Sequence, residues 1–102
     1  MQKRMSELVT GDIVTVQHGL KVRVNELESR EITGTFEQDI REGLISEGLE
    51  PYAYWTVGTV LNVSEAVNNG FPLGYLTAKD GEYFWTVAGN DRRVVNVIKT
   101  AN

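Results

Sequence analysis

Asp12-Ile13-Val14-Thr15-Val16-Gln17-His18-Gly19-Leu20-Lys21-Val22-Arg23-Val24-Asn25-Glu26-Leu27 holds two β-type runs joined by a reversal. Four β-branched residues follow the Gly11-Asp12 turn signal, and such side chains suit a pleated surface. The return run, Leu20 to Leu27, reads as one strand of eight residues on the apolar–polar alternation of Leu20 to Asn25. A period of two puts Leu20, Val22 and Val24 on one face and Lys21, Arg23 and Asn25 on the other, whereas a helix would scatter both sets. His18-Gly19 suits a two-residue hairpin loop, because Gly accepts positive φ freely and His tolerates it better than a β-branched residue. A slip of one residue would turn Lys21 and Arg23 inward, so the pattern specifies its own register.

Beyond this hairpin the alternation continues. Glu31–Gln38 reads as a third strand, with Ile32, Gly34 and Phe36 on one face and Gly34 marking a bulge or bend. Asp39–Glu50 predicts a helix: Asp39 as cap, Glu42 three residues on, Ile40, Leu44 and Ile45 as the apolar stripe, and Gly48 as the stop before Pro51. Tyr52–Val63 is the longest strand candidate, and large side chains on both of its faces mark it as central or as crossing between two half-sheets, with Gly58 as the bend. Ser64–Val67 reads as one helical turn. Asp80-Gly81 centres a second hairpin between Gly74–Ala78 and Glu82–Ala88, and Arg92–Lys99 forms a closing strand. Met1–Glu7 is polar and is expected to fray. The fold class is therefore mainly β: a small antiparallel barrel of six to seven strands with one short inserted helix at 39–50. Residues 1–102 form one domain, and its first and last strands pair.

The segment Leu8-Val9-Thr10-Gly11-Asp12-Ile13-Val14-Thr15-Val16 resembles the opening of SH3-like small barrels, in which an apolar residue, a Gly-Asp turn and an alternating Val strand lead into a short reversal. In overall style the chain is also similar to small accessory proteins of bacteriophages. The resemblance implies a fold and no site residue, since such barrels bind proteins, peptides and nucleic acids alike. The Asp39–Glu50 insertion and the long Tyr52–Val63 strand depart from a minimal barrel of that type.

A chain of 102 residues is long enough for a self-supporting core. The absence of cysteine excludes disulfides, thiolate metal sites and cysteine nucleophiles. No apolar run approaches the roughly 18 residues a membrane span needs, so a soluble, cytoplasmic protein is expected, in the host cytoplasm for a phage-encoded one. The net charge of −4 is uneven. Residues 26–50 carry eight acids against Arg30 and Arg41, whereas the rest of the chain is slightly basic. His18 is the only histidine and sits at a hairpin tip, where a turn residue is the ordinary explanation. No nucleophile motif surrounds Ser6, Ser29, Ser46 or Ser64. Asn68-Asn69-Gly70 and Asn90-Asp91 lack calcium-loop spacing, and Gly70, Gly74 and Gly81 lack the helix and Lys of a phosphate cradle. No catalytic residue, metal or cofactor is expected, and the chain reads as a non-enzyme. Trp55 and Trp85 are expected in the core.

The function read from these residues is protein binding or self-association, with Glu37, Asp39, Ile40, Glu42 and Leu44 as the candidate partner surface. An acidic inhibitor or nucleic-acid mimic that blocks a host nucleic-acid-handling protein is the first alternative. A weak nucleic-acid-binding barrel using Lys21, Arg23, Arg92 and Arg93 is the second.

Overall fold

The computed structural model describes residues 1–101. Ten regular elements succeed one another: β1 (Gln2–Arg4), β2 (Ile13–Thr15), β3 (Lys21–Arg23), β4 (Glu28–Glu31), α1 (Gln38–Ser46), β5 (Tyr52–Val60), α2 (Val63–Asn68), β6 (Thr77–Lys79), β7 (Glu82–Asn90) and β8 (Val94–Lys99). The eight strands form one antiparallel sheet in the order β1-β8-β2-β3-β5-β7-β6, and β4 pairs with β5 beside β3.

The β2–β3 hairpin has the expected register, with Val14 opposite Val22 and both fully buried. His18 (φ 58°) and Gly19 (φ 72°) both take the left-handed conformation at the reversal, and the Leu20 N–H donates to the Gln17 carbonyl at 3.2 Å. Leu20 and Val24 continue the inward face. The second hairpin turns at Asp80-Gly81 between β6 and β7, with Lys79 opposite Glu82. β5 is central as expected: β3 and β4 lie along one edge and β7 runs along the other. Thr56 and Val60 point into the core, while Val57 points outward and is half exposed.

The buried apolar side chains of Met5, Leu8, Val14, Leu20, Val22, Val60, Phe71, Val87, Val95 and Val97, among others, make one cluster. The sheet curls round it without closing. Strand β2 pairs with β8, as a barrel requires, but β1 occupies the other edge of β8, so the sheet ends at β1 and β6, which do not pair with each other. The expected closed barrel is thus corrected to an open, curled sheet.

Three further expectations change. The first residues do not fray: β1 pairs with β8, and Met5 is fully buried. The third strand lies earlier, at Glu28–Glu31, where its ladder with β5 runs from Glu28 opposite Trp55 to Glu31 opposite Tyr52 and closes just beyond with the Ile32 N–H bonded to the Pro51 carbonyl. Thr35–Glu37 is instead a turn of 3-10 helix, and Phe36 is fully exposed. The inserted helix spans Gln38–Ser46 instead of starting after Asp39, and no side chain caps it. Asp39 sits in its first turn, where its charge still favours the helix N-terminus. The stop is the expected one: Gly48 (φ 75°) donates to Ile45 O at 3.0 Å and Leu49 to Leu44 O at 2.9 Å, a Schellman pair.

Candidate functional site

An antiparallel register sends alternate side chains to opposite faces, so Ala53, Trp55 and Val57 of β5 lie on the outer face, beside Ala88 and Thr86 of β7. Glu28 and Arg30 of β4 stand opposite Trp55 and Ala53. Trp55 is therefore not a core residue. It is half-buried and outside the apolar cluster, whereas Trp85 packs against that cluster with its ring edge-on to Phe71 at 5.2 Å between centroids. Strand parity, which sequence alternation leaves undetermined when both faces are large, separates the two tryptophans.

The Trp55 ring borders two hollows. The wider, about 530 Å³, runs past Ala53 and Ala88 to Ile40 of α1 and to the Arg30–Glu37 pair. The smaller, about 280 Å³, is lined by Trp55 with Asn25, Glu26, Glu28, Thr56 and Val57. In the wider one, Arg30 donates to both carboxylate oxygens of Glu37, at 3.1 and 3.3 Å. That pairing holds Glu37 below the usual carboxylate range and raises Arg30. Tyr54, also on this wall, is pushed up by burial and by the nearby carboxylates Asp91 and Glu50.

The five residues expected to meet a partner are divided by the structure. Ile40 is exposed on the groove wall, and Asp39 and Glu42 are exposed on α1. Glu37 is engaged by Arg30. Leu44 is fully buried and cannot anchor a partner; a helix only nine residues long spends that position on its own packing. The four cations do not form one surface. Arg23 faces Thr59 near one end of β5, while Arg92 and Arg93 follow Asn90, opposite Ala53 near the other. At about 3.4 Å per residue those positions lie about 20 Å apart. Lys21 stands 4.0 Å from Glu65, Arg92 pairs with Glu47, and Arg93 donates to the Ala88 carbonyl.

His18 is a clip between elements: its Nδ1–H donates to the Asn69 carbonyl at 3.1 Å, and its ring meets Phe71 edge-on. The two buried carboxylates also serve the fold. Asp12 accepts from Lys3 Nζ at 2.8 Å and from the backbone N–H groups of Val9 and Ala101. Asp91 accepts from Ser6 N–H and Glu50 N–H, both at 3.1 Å. Burial alone would raise both, but the hydrogen bonds win and hold both below the ordinary carboxylate value. Among the described residues no group of three His, Cys, Asp or Glu side chains could hold a metal, and no helix is long and apolar enough to cross a membrane.

Sequence reasoning missed Trp55, Glu26 and Glu28. The available signal was a phase slip: after Leu20, Val22 and Val24 the next even position is Glu26, and the apolar residue falls at Leu27. The chain matches no protein-family model, no curated protein and no solved structure in these three comparisons.

Proposed function

We propose that this chain is a non-enzymatic protein-binding module that takes a segment of a partner across the outer face of β4, β5 and β7. The observation that carries the reading is Trp55, a large, partly buried aromatic side chain on the outer face that borders two hollows and stays outside the apolar cluster against which the other tryptophan packs. Aromatic residues flanked by pockets are the usual anchors of protein contacts. Exposed Ile40 extends the apolar floor. Glu26, Glu28, Asp39 and Glu42 have no ion-pair partner among the described residues, so the surrounding charge favours a basic partner. The pairing of β2 with β8 supports the small-barrel character of the module, whose sheet is nevertheless open.

Selection of a random peptide library on the immobilised protein tests this. Peptides should be enriched that bind the wild type and lose at least tenfold in affinity for Trp55→Ala, whose fold is checked through the NMR signals of Trp85. Enrichment that is equal on Trp55→Ala, or no enrichment at all, overturns the reading. A concentration-dependent dimer that Trp55→Ala abolishes would overturn the heterologous partner in favour of a second copy of the chain.

A further inference from the structure

Both β3 and β4 lie along one edge of β5, β3 opposite Thr59 and Val60 and β4 opposite Tyr52 to Trp55. Between them Val24–Leu27 leaves the ladder, so Thr56, Val57 and Gly58 have no strand opposite them on that side. On this edge of β5 the Ile32 N–H bonds Pro51 O and the Leu61 N–H bonds Lys21 O. Odd-numbered residues of β5 therefore direct their backbone groups toward β3 and β4. Val57 is odd, and its N–H and C=O face the gap.

The smaller hollow is this gap. Its walls combine Trp55, the Glu26 and Glu28 carboxylates, Asn25, Val57 and Thr56. Glu26 and Glu28 are exposed and form no ion pair among the described residues. The hollow lies just below the roughly 300 Å³ at which pockets for drug-sized ligands begin, which suits one long side chain.

The chemistry of the walls selects the occupant. Two unpaired carboxylates repel anions, an indole face attracts a cation within about 6 Å of its centre, and the Val57 carbonyl facing the gap accepts a hydrogen bond. A guanidinium satisfies all three at once: it is planar enough to lie on the ring, and its five N–H donors fork onto the acceptors. We propose that this hollow binds the guanidinium of an arginine carried by the protein partner. The inference rests on the module reading above and names the residue that the partner inserts.

The test uses the full chain, ¹⁵N-labelled, titrated with the tripeptide acetyl-Gly-Arg-Gly-amide. Saturable shifts are expected at the Trp55 indole N–H and the Val57 amide, weakening with added salt. The same peptide with citrulline, a neutral isostere, should bind at least tenfold more weakly, as should the arginine peptide to Glu26→Gln/Glu28→Gln. Asp80→Asn/Glu82→Gln, which changes two exposed acids at the β6–β7 turn outside the hollow, should leave binding unchanged. Equal binding of citrulline overturns the proposal, as does a loss in Asp80→Asn/Glu82→Gln as large as in the Glu26/Glu28 pair. A lysine tripeptide that binds as tightly overturns the guanidinium assignment. Library peptides that depend on Trp55 yet carry no arginine sink this inference and leave the module standing. A saturable arginine site combined with a failed selection does the reverse.

Discussion

Replacing Asp12 with Asn tests the account of what ties the two ends of the chain to the first hairpin. The Asp12 carboxylate is fully buried and accepts from Lys3 Nζ (2.8 Å) and Val9 N–H (3.1 Å) on one oxygen and from Ala101 N–H (3.0 Å) on the other. Its backbone carbonyl also accepts from Val24 N–H at 2.8 Å. An Asn amide keeps the shape but has one acceptor oxygen, so its NH₂ must face either the Ala101 donor or the Lys3 and Val9 donors. At least one hydrogen bond to a charged group is lost, worth about 1.5–3 kcal/mol, and a donor is left facing a donor. Lys3 keeps some solvent contact, with 18% of its side chain exposed, which softens the loss. The expected destabilisation is about 2–4 kcal/mol, a large share of the roughly 5–15 kcal/mol that holds a domain together. Urea unfolding followed by tryptophan fluorescence measures it. The pH dependence supplies a second readout. Burial raises the Asp12 pKa, but the Lys3, Val9 and Ala101 hydrogen bonds and the Lys3 charge bring it below 3.8. A carboxylate whose folded pKa is depressed contributes stability above its unfolded pKa, and that contribution disappears as pH falls through the folded value. The gap between wild type and Asp12→Asn should therefore be full at pH 7 and narrow once the pH falls below about 4. A gap under about 0.5 kcal/mol at pH 7, or one that does not change on acidification, refutes the reasoning.

Leu44→Ala should cost about 2–5 kcal/mol in the same unfolding assay, whereas Ile40→Ser, on the exposed side of α1, should stay within about 0.5 kcal/mol. Gly58→Ala should destabilise by about 1–3 kcal/mol, because a Cβ there would lie 2.7 Å from the Arg23 carbonyl oxygen and collide with Val22. Arg30→Gln should leave the thermal midpoint almost unchanged, since the pair is exposed, but the Glu37 carboxyl, followed by NMR titration, should rise toward the ordinary Glu value.

What the sequence made legible follows from range along the chain. The β2–β3 hairpin, the Asp80-Gly81 turn and the Gly48 stop depend on residues within a few positions of one another, and each has the expected form. The β1 pairing could not be read that way. Gln2-Lys3-Arg4 carries no apolar alternation, and its partner Val94–Asn96 lies at the far end of the chain. Asp12 and Asp91 looked like turn residues because their turns are local, while the donors that bury them come from Lys3, Ala101, Ser6 and Glu50. Phe36 was misassigned for the opposite reason: a period-two pattern persists by chance across Glu31–Gln38, where the backbone has already left the sheet.

The candidate site sits where local pattern and long-range pairing disagree. In and beside β3 the inward set is even-numbered, Leu20, Val22 and Val24; three residues after Val24, Leu27 packs toward the same core from an odd position. A strand cannot change parity and stay paired, so the chain must leave the ladder between them and rejoin as β4. On β5 no such slip occurs, because β7 pairs continuously from Ala53 to Thr59 along its other edge. One edge of β5 is thus held rigidly by a complete ladder while the other is bared for the length of the excursion. Rigid support behind and unmet backbone groups in front are the conditions under which a partner's donors gain most from entering. The slip at Glu26-Leu27 also places Glu26 at that opening, so the residue that breaks the hydrophobic pattern supplies the charge the opening presents.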